Sequence, residues 1–104
     1  MKSDIRLQSS HIFLENHLAN KVFGQVHYAY ASYREQQLLI TPVSSQWFAK
    51  MYEASQFLLK TKNGNGDRAM AIHEILIEND IDVSDRDLNY EIISKTNLIK
   101  INLS

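Results

Sequence analysis

The chain contains no cysteine, one proline and three glycines among its 104 residues. Without cysteine it has no disulfide, no thiolate nucleophile and no sulfur ligand for a metal, which is typical of a reducing compartment. It also lacks any apolar run near the roughly 20 residues that a membrane helix requires. Residues 1–10 are polar and do not resemble a secretory signal. We therefore expect a cytoplasmic protein without a membrane segment.

An excess of charge of one sign is missing as well. Eleven basic residues against twelve acidic ones give a formal net charge of -1, so no global field draws the protein to nucleic acid or to anionic lipid. The apolar fraction of 44% and the charged fraction of 22% are ordinary for a globular domain. The length predicts a single domain over residues 1–104, and no sequence period is visible.

Apolar periodicity predicts an α+β fold with the element order βββαβαββ. It consists of one mostly antiparallel sheet of about six strands with two helices packed on one face. The predicted strands cover residues 12–14, 22–31, 38–41, 57–61, 88–93 and 98–103, with a polar break at 33–37. Thr41 and Pro42 are expected to start the first helix, whose apolar face holds Trp47, Phe48, Met51 and Tyr52.

The second predicted helix, residues 68–79, carries more apolar surface than one core can bury. One stripe faces the core, while Met70 and Ile77 form a second stripe on a different side of the helix. Asp67 is expected to cap this helix at its N-terminus. We interpret Met70, His73 and Ile77 as a contact surface for another protein, because a small domain rarely exposes such a pair without use.

The predicted strand 22–31 suggests a different kind of site. If no helix covers its second face, Phe23, Gln25 and His27 form a shallow binding surface for a ligand or a nucleic-acid base, helped by Lys21 and Arg34. The low net charge argues against nucleic acid as a partner.

Residues 80–91 place acidic or hydroxyl groups at the first, third, fifth and twelfth positions of a calcium loop. Asp85 occupies the position where that loop needs glycine, and a strand follows where a helix should, so we expect a solvated acidic loop. The four histidines are scattered and lack zinc-site spacing. We therefore predict no metal site, no cofactor and no identifiable catalytic residue.

The residues leave two functions open. The leading hypothesis is a small non-enzymatic domain that self-associates, most simply as a homodimer, or that binds a protein partner. The alternative is a ligand-binding or single-stranded nucleic-acid-binding sheet that uses the strand 22–31. An enzyme assembled from residues distant in sequence is the less favoured third option.

Overall fold

A computed structural model describes residues 4–43, 48, 50, 51, 54–61 and 66–103. The helices with described bounds are α1 (Asn16–Val22) and α2 (His73–Glu78). The strands of the described ranges are β1 (Ile5–Gln8), β2 (His11–Leu14), β3 (Tyr28–Arg34), β4 (Gln37–Pro42), β5 (Ser55–Leu58), β6 (Lys60–Thr61), β7 (Arg68–Ala71), β8 (Arg86–Asp87), β9 (Tyr90–Ile93) and β10 (Leu98–Asn102).

These strands form two antiparallel sheets of five strands each, with the orders β6-β7-β2-β1-β8 and β5-β3-β4-β10-β9. The predicted single sheet with two helices on one face is therefore wrong. The main cause is the predicted helix 68–79, whose first four residues are the strand β7. Met70 lies opposite Ile12 of β2, and both side chains are fully buried, so a short strand pairing overrides the helical pattern.

The predicted strand 22–31 is also partly wrong, because α1 extends to Val22 and β3 begins only at Tyr28. Leu18, Ala19 and Val22 are buried and share one face of α1, which is the helical spacing of an amphipathic segment. Gly24 ends the helix with a φ of 55°, a conformation that glycine adopts without steric cost.

Three local predictions are confirmed. The C-terminal hairpin pairs β9 with β10 across the turn 94–97, and β2 and β4 lie where the apolar runs at 12–14 and 38–41 predict them. The fourth predicted strand, 57–61, is divided at Leu59. Its first part pairs with β3 in one sheet and its second part pairs with β7 in the other.

The two sheets are joined at both of their edges. On one side the chain runs from β5 directly into β6, and the Leu59 amide donates to the carbonyl of His27 at 2.7 Å. On the other side β8 continues into β9, and the Leu88 amide donates to the carbonyl of Ile5 at 3.0 Å. The strands thus close into a ring like that of a small barrel, which an eight-stranded circuit can fill with side chains.

One core cluster fills the space between the sheets, because both contribute every second residue to it. Sheet one supplies β1, β2 and β7, and sheet two supplies β3, β4 and β10. The buried strand residues of this cluster include Ile5, Leu7, Ile12, Leu14, Met70, Ala29, Ala31, Leu38, Ile40, Ile99 and Ile101.

A second, smaller cluster lies on the outer face of the β3–β4–β10 sheet. Phe48 is fully buried there together with Leu39 and Leu98. Phe48 and Met51 are helical, but Met51 is 65% exposed, so they do not share a buried face as predicted. Trp47 and Tyr52 lie outside the described residues. No helix in the described ranges is long and apolar enough to cross a membrane.

Two residues that we expected to start helices act elsewhere. The Asp67 carboxylate accepts the backbone N–H of Asn16 at 2.7 Å, so it caps α1 across 51 residues of sequence instead of capping its own segment. Thr41 is buried in β4, where its hydroxyl donates to the carbonyl of Asn97 at 3.1 Å. In both cases the hydrogen-bond partner is distant in sequence, so local spacing does not reveal it.

The fold contains a repeat that the sequence does not display. Each half of the chain consists of a strand pair, a short helix and a second strand pair: β1, β2, α1, β3 and β4, then β5–β6, β7, α2, β8–β9 and β10. Corresponding strands pair with each other, since β2 pairs with β7 and β4 with β10. The remaining contacts are reciprocal: β1 pairs with β8, and β3 pairs with β5. The halves are thus related by an approximate twofold arrangement.

Candidate functional site

The best candidate site is a pair of adjoining clefts at the end of β3, which we name the Tyr33 groove because Tyr33 lines both. Each cleft has a volume of about 420 Å³. The first has the half-buried side chains of Phe57 and Ile75 in its wall, and the second those of Ile81 and the buried Leu103. These volumes fall within the range of small-molecule and side-chain pockets.

Tyr33 lies in the groove because of the alternation along β3. Ala29 and Ala31 point into the core, and Tyr33 is the next inward residue. It reaches the open end of the barrel, where it packs on the core and remains half-buried. The ring therefore has one side fixed by the core and another available to a ligand.

The C-terminal end of α2 builds the wall that the two clefts share. Asp80 has a φ of 53°, its amide donates to Ile77, and the Ile81 amide donates to Leu76 at 2.9 Å. This is the hydrogen-bond pattern of a Schellman cap, which turns Ile81 back onto the core. The Asn79 side chain donates to the carbonyl of Ile75 at 2.8 Å, so its position on the groove wall is fixed as well.

Arg86 holds the far side of the second cleft. Its guanidinium donates to the carbonyl of Asp82 at 2.8 Å, to that of Ser84 at 2.9 Å and to that of Leu103 at 2.7 Å. A guanidinium presents its N–H groups in a rigid fork, so these bonds connect the loop 81–85 to the C-terminal end of β10. The cleft is consequently built from anchored backbone segments.

The rim of the second cleft is acidic. The backbone N–H and the hydroxyl of Ser84 donate to Asp82 and, with the nearby Arg86, hold the pKa of this exposed carboxyl below its ordinary value, although burial opposes them slightly. Asp82 is therefore ionised at neutral pH. Residues 78–91 contain six acidic residues and only one basic residue, whereas the whole chain is nearly balanced. The lining of the second cleft itself holds two carboxylates, Asp80 and Asp82, against the single guanidinium of Arg86.

The predicted contact surface of Met70, His73 and Ile77 is divided by the structure. Met70 belongs to the strand β7 and not to the helix that carries His73 and Ile77, and its side chain is fully buried. His73 and Ile77 are both exposed and lie one turn apart on α2, with Ile77 57% exposed. The His73 Nδ1 lies 3.3 Å from the Ser10 Oγ in the β1–β2 turn.

The five residues of the alternative binding face are not brought together. Phe23 is buried in the core, so it presents no ring for stacking. Lys21, Gln25 and His27 are exposed around the end of α1. Arg34 lies at the other end of β3, roughly 23 Å along the strand from His27, and it lines the first cleft of the Tyr33 groove.

Sequence reasoning missed Tyr33 by assigning it to a polar break. The available signal was the two-residue period of Ala29, Ala31 and Tyr33, which predicts that the tyrosine continues the inward face. The remaining groove residues come from α2, from the loop after it and from the end of β10. Nothing in their sequence spacing places them beside Tyr33.

The groove also differs from a metal centre. In the ranges that the structure describes, no group of three or more histidine, aspartate or glutamate side chains is arranged to hold a metal ion. Comparison with family models, with curated proteins and with solved structures gives no significant match.

Proposed function

We propose that this protein is a small non-enzymatic binding domain that holds a segment of a protein partner in the Tyr33 groove. The observation that supports the proposal is the pair of adjoining clefts that share Tyr33 in their lining, each with apolar side chains in its wall and charged residues at its rim. Tyrosine is frequent among the residues that dominate binding energy, because its ring buries a large area with little loss of conformational freedom.

The groove is also preorganised. Tyr33 belongs to a strand with neighbours on both sides, the end of α2 is capped, and Arg86 anchors the loop beyond it. A partner therefore does not need to order these segments when it binds. Binding surfaces of this kind lose less free energy to conformational ordering than mobile loops do.

The test compares two tyrosines of the same strand. Tyr33 lines the groove, whereas Tyr28 is 44% exposed on the outer face of β3. A library of short peptides is screened by two-dimensional amide NMR, and affinities of the hits are measured by calorimetry. We expect Tyr33→Ala to weaken binding by about tenfold or more, while Tyr28→Ala leaves it unchanged.

Equal effects of the two substitutions would contradict the proposal, as would a library that shifts no groove resonance at millimolar peptide. Because Tyr33 also packs on the core, the unfolding transition of both variants is measured first. Tyr33→Phe retains the ring, so it controls for loss of packing.

Self-association through α2 is a second candidate, favoured by the exposure of Ile77 beside His73. Its surface excludes Met70, which is buried. Light scattering tests it: Ile77→Asp should dissociate a dimer, whereas Leu58→Asp, a change at another exposed apolar residue, should not. A wild-type protein that remains monomeric at about 1 mM would contradict this candidate.

A further inference from the structure

We propose that the second cleft of the Tyr33 groove selects a lysine or arginine side chain, so that the partner segment is a basic peptide. This inference rests on the proposed function, because it names the chemistry of the partner at the same site. It combines three features of the cleft: carboxylates at the rim, an aromatic ring in the wall, and apolar side chains beside that ring.

The carboxylates supply the charge complementarity. Asp80 and Asp82 both line the second cleft, and both residues are exposed. Hydrogen bonds from Ser84 hold the pKa of Asp82 below its ordinary value, so this carboxylate stays charged at neutral pH. These two carboxylates outnumber the single guanidinium of Arg86 in the lining of the cleft, and the resulting negative charge attracts a cationic segment and raises its association rate.

Arg86 does not turn the cleft into an anion site. Its guanidinium donates to three backbone carbonyls, so these N–H groups are directed at the protein. An anionic ligand in this cleft would also meet the carboxylates of Asp80 and Asp82.

The apolar part of the cleft matches the rest of a basic side chain. Lysine and arginine carry long methylene stems, which pack on apolar surface while the charged group stays near water. Ile81 and Leu103 offer that surface beside the Tyr33 ring. The ring adds a cation–π attraction to an ammonium or guanidinium group, and a carboxylate cluster without an aromatic neighbour would lack this contribution.

The experiment uses three short peptides that differ only at one central position, which is lysine, glutamine or glutamate. Binding to the full chain is measured by calorimetry and mapped by two-dimensional amide NMR. The lysine peptide should shift the resonances of Tyr33 and of residues 80–82, and the glutamine peptide should bind about tenfold more weakly. An arginine peptide should behave as the lysine peptide does.

The matched variants are Asp82→Asn and Glu91→Gln. Both remove one negative charge from the same acidic segment, but Glu91 lies opposite Lys100 on β10, away from the cleft. The asparagine can still accept the Ser84 N–H. Asp82→Asn should weaken the lysine peptide by about threefold to fivefold and Glu91→Gln should not.

The outcomes separate the two proposals. If all three peptides bind the groove equally and Tyr33→Ala weakens each of them, the selectivity for a basic side chain is wrong and the binding function stands. If Glu91→Gln weakens the lysine peptide as much as Asp82→Asn does, the attraction is nonspecific and the inference is also wrong. If no peptide of the wider library shifts the groove, the proposed function itself is wrong.

Discussion

The helices α1 and α2 are each followed by a residue in the left-handed region, but their ends lead to different surfaces. Gly24 follows α1 with a φ of 55°, and Asp80 follows α2 with a φ of 53°. After each of these helices two backbone carbonyls accept hydrogen bonds from one guanidinium, which belongs to Arg68 of β7 after α1 and to Arg86 of β8 after α2. The two helix ends thus share a left-handed residue and a loop bound by a guanidinium, although the two arginines come from strands that do not correspond in the approximate repeat.

The difference lies in how the space beyond each helix is filled. Arg68 is only 8% exposed and reaches across from β7, and the neighbouring Phe23 fills the core. Beyond α2, the guanidinium of Arg86 is half-buried, Ile81 is also half-buried, and the clefts of the Tyr33 groove remain open. The same framework therefore produces a closed end and an open end, and the choice depends on the residues after the helix.

The largest expected effect comes from Arg68→Met. Removing the guanidinium leaves the partly buried carbonyls of Gly24 and Val26 without their donor, so the free energy of unfolding should fall by about 2–4 kcal/mol. Arg86→Met should cost only about 1 kcal/mol, since water can reach that loop. Urea unfolding measures both variants, with Arg68→Lys as a control that supplies one point charge. Equal losses for the two methionine variants would contradict the distinction between a closed and an open end.

A smaller effect is expected at the strand turns, which also differ between the halves. The β3–β4 turn places Glu35 and Gln36 at positive φ values of 48° and 69°, whereas the β9–β10 turn uses four residues with only Asn97 at positive φ. Replacing Glu35 and Gln36 by Asn-Gly should raise the free energy of unfolding by about 1–2 kcal/mol. Lys95→Gly, at a position without positive φ, should give no gain in thermal unfolding experiments.

Exchanging the residues that end the helices should have a still smaller effect. Gly24→Ala forces a side chain into the left-handed region, although its Cβ would meet no atom closer than 4.0 Å, and should cost about 1 kcal/mol. Asp80→Gly should stabilise by about 0.5 kcal/mol. Chemical denaturation checks both variants, and a gain for Gly24→Ala or a loss for Asp80→Gly would show that the two positions do not share the left-handed conformation. Asp80→Gly should also weaken a bound basic peptide.

The smallest effect concerns one of the two edges where the halves join. The Tyr90 hydroxyl donates to Asp4 at 2.8 Å, and partial burial followed by this hydrogen bond raises the pKa of Tyr90 above 10.0. Because the pKa of Tyr90 is higher in the folded protein than in the unfolded chain, its contribution to stability is complete below pH 10.0. This contribution is lost as the pH rises through the pKa of the folded state. Tyr90→Phe should remove that alkaline loss, which urea titrations on either side of pH 10.0 can detect. An unchanged pH profile in the variant would contradict the assignment.

Sequence patterns were sufficient where the partners of a segment are close in the chain. The hairpin of β9 and β10 follows from alternating apolar residues around a short turn, and all of its internal hydrogen bonds are local. Sequence patterns failed at Arg68–Ala71, which was assigned to a helix. This segment is compatible with a helix by composition, but its ladder partner β2 lies about 57 residues earlier, and that pairing decides the outcome.

The same contrast between neighbours close in the chain and partners distant in the chain is stronger at the candidate site. Ile77 and His73 were predicted as exposed contact residues and both are exposed, because they lie within one short helix. Met70 was assigned to the same surface and is buried, because it belongs to a strand. Tyr33 and Leu103 are 70 positions apart in the numbering, and only the closure of the two sheets places them in one cleft.

The amino-acid sequence alone determined the absence of disulfide chemistry, the near-neutral charge, the acidic segment near residue 80 and the local hairpin, since these depend on composition or on neighbours in the chain. The tertiary structure decided the two sheets, the approximate repeat and the Tyr33 groove. Backbone hydrogen bonds between distant strands create these features, and such bonds select their partners through the packing of a whole core, which short sequence patterns do not encode.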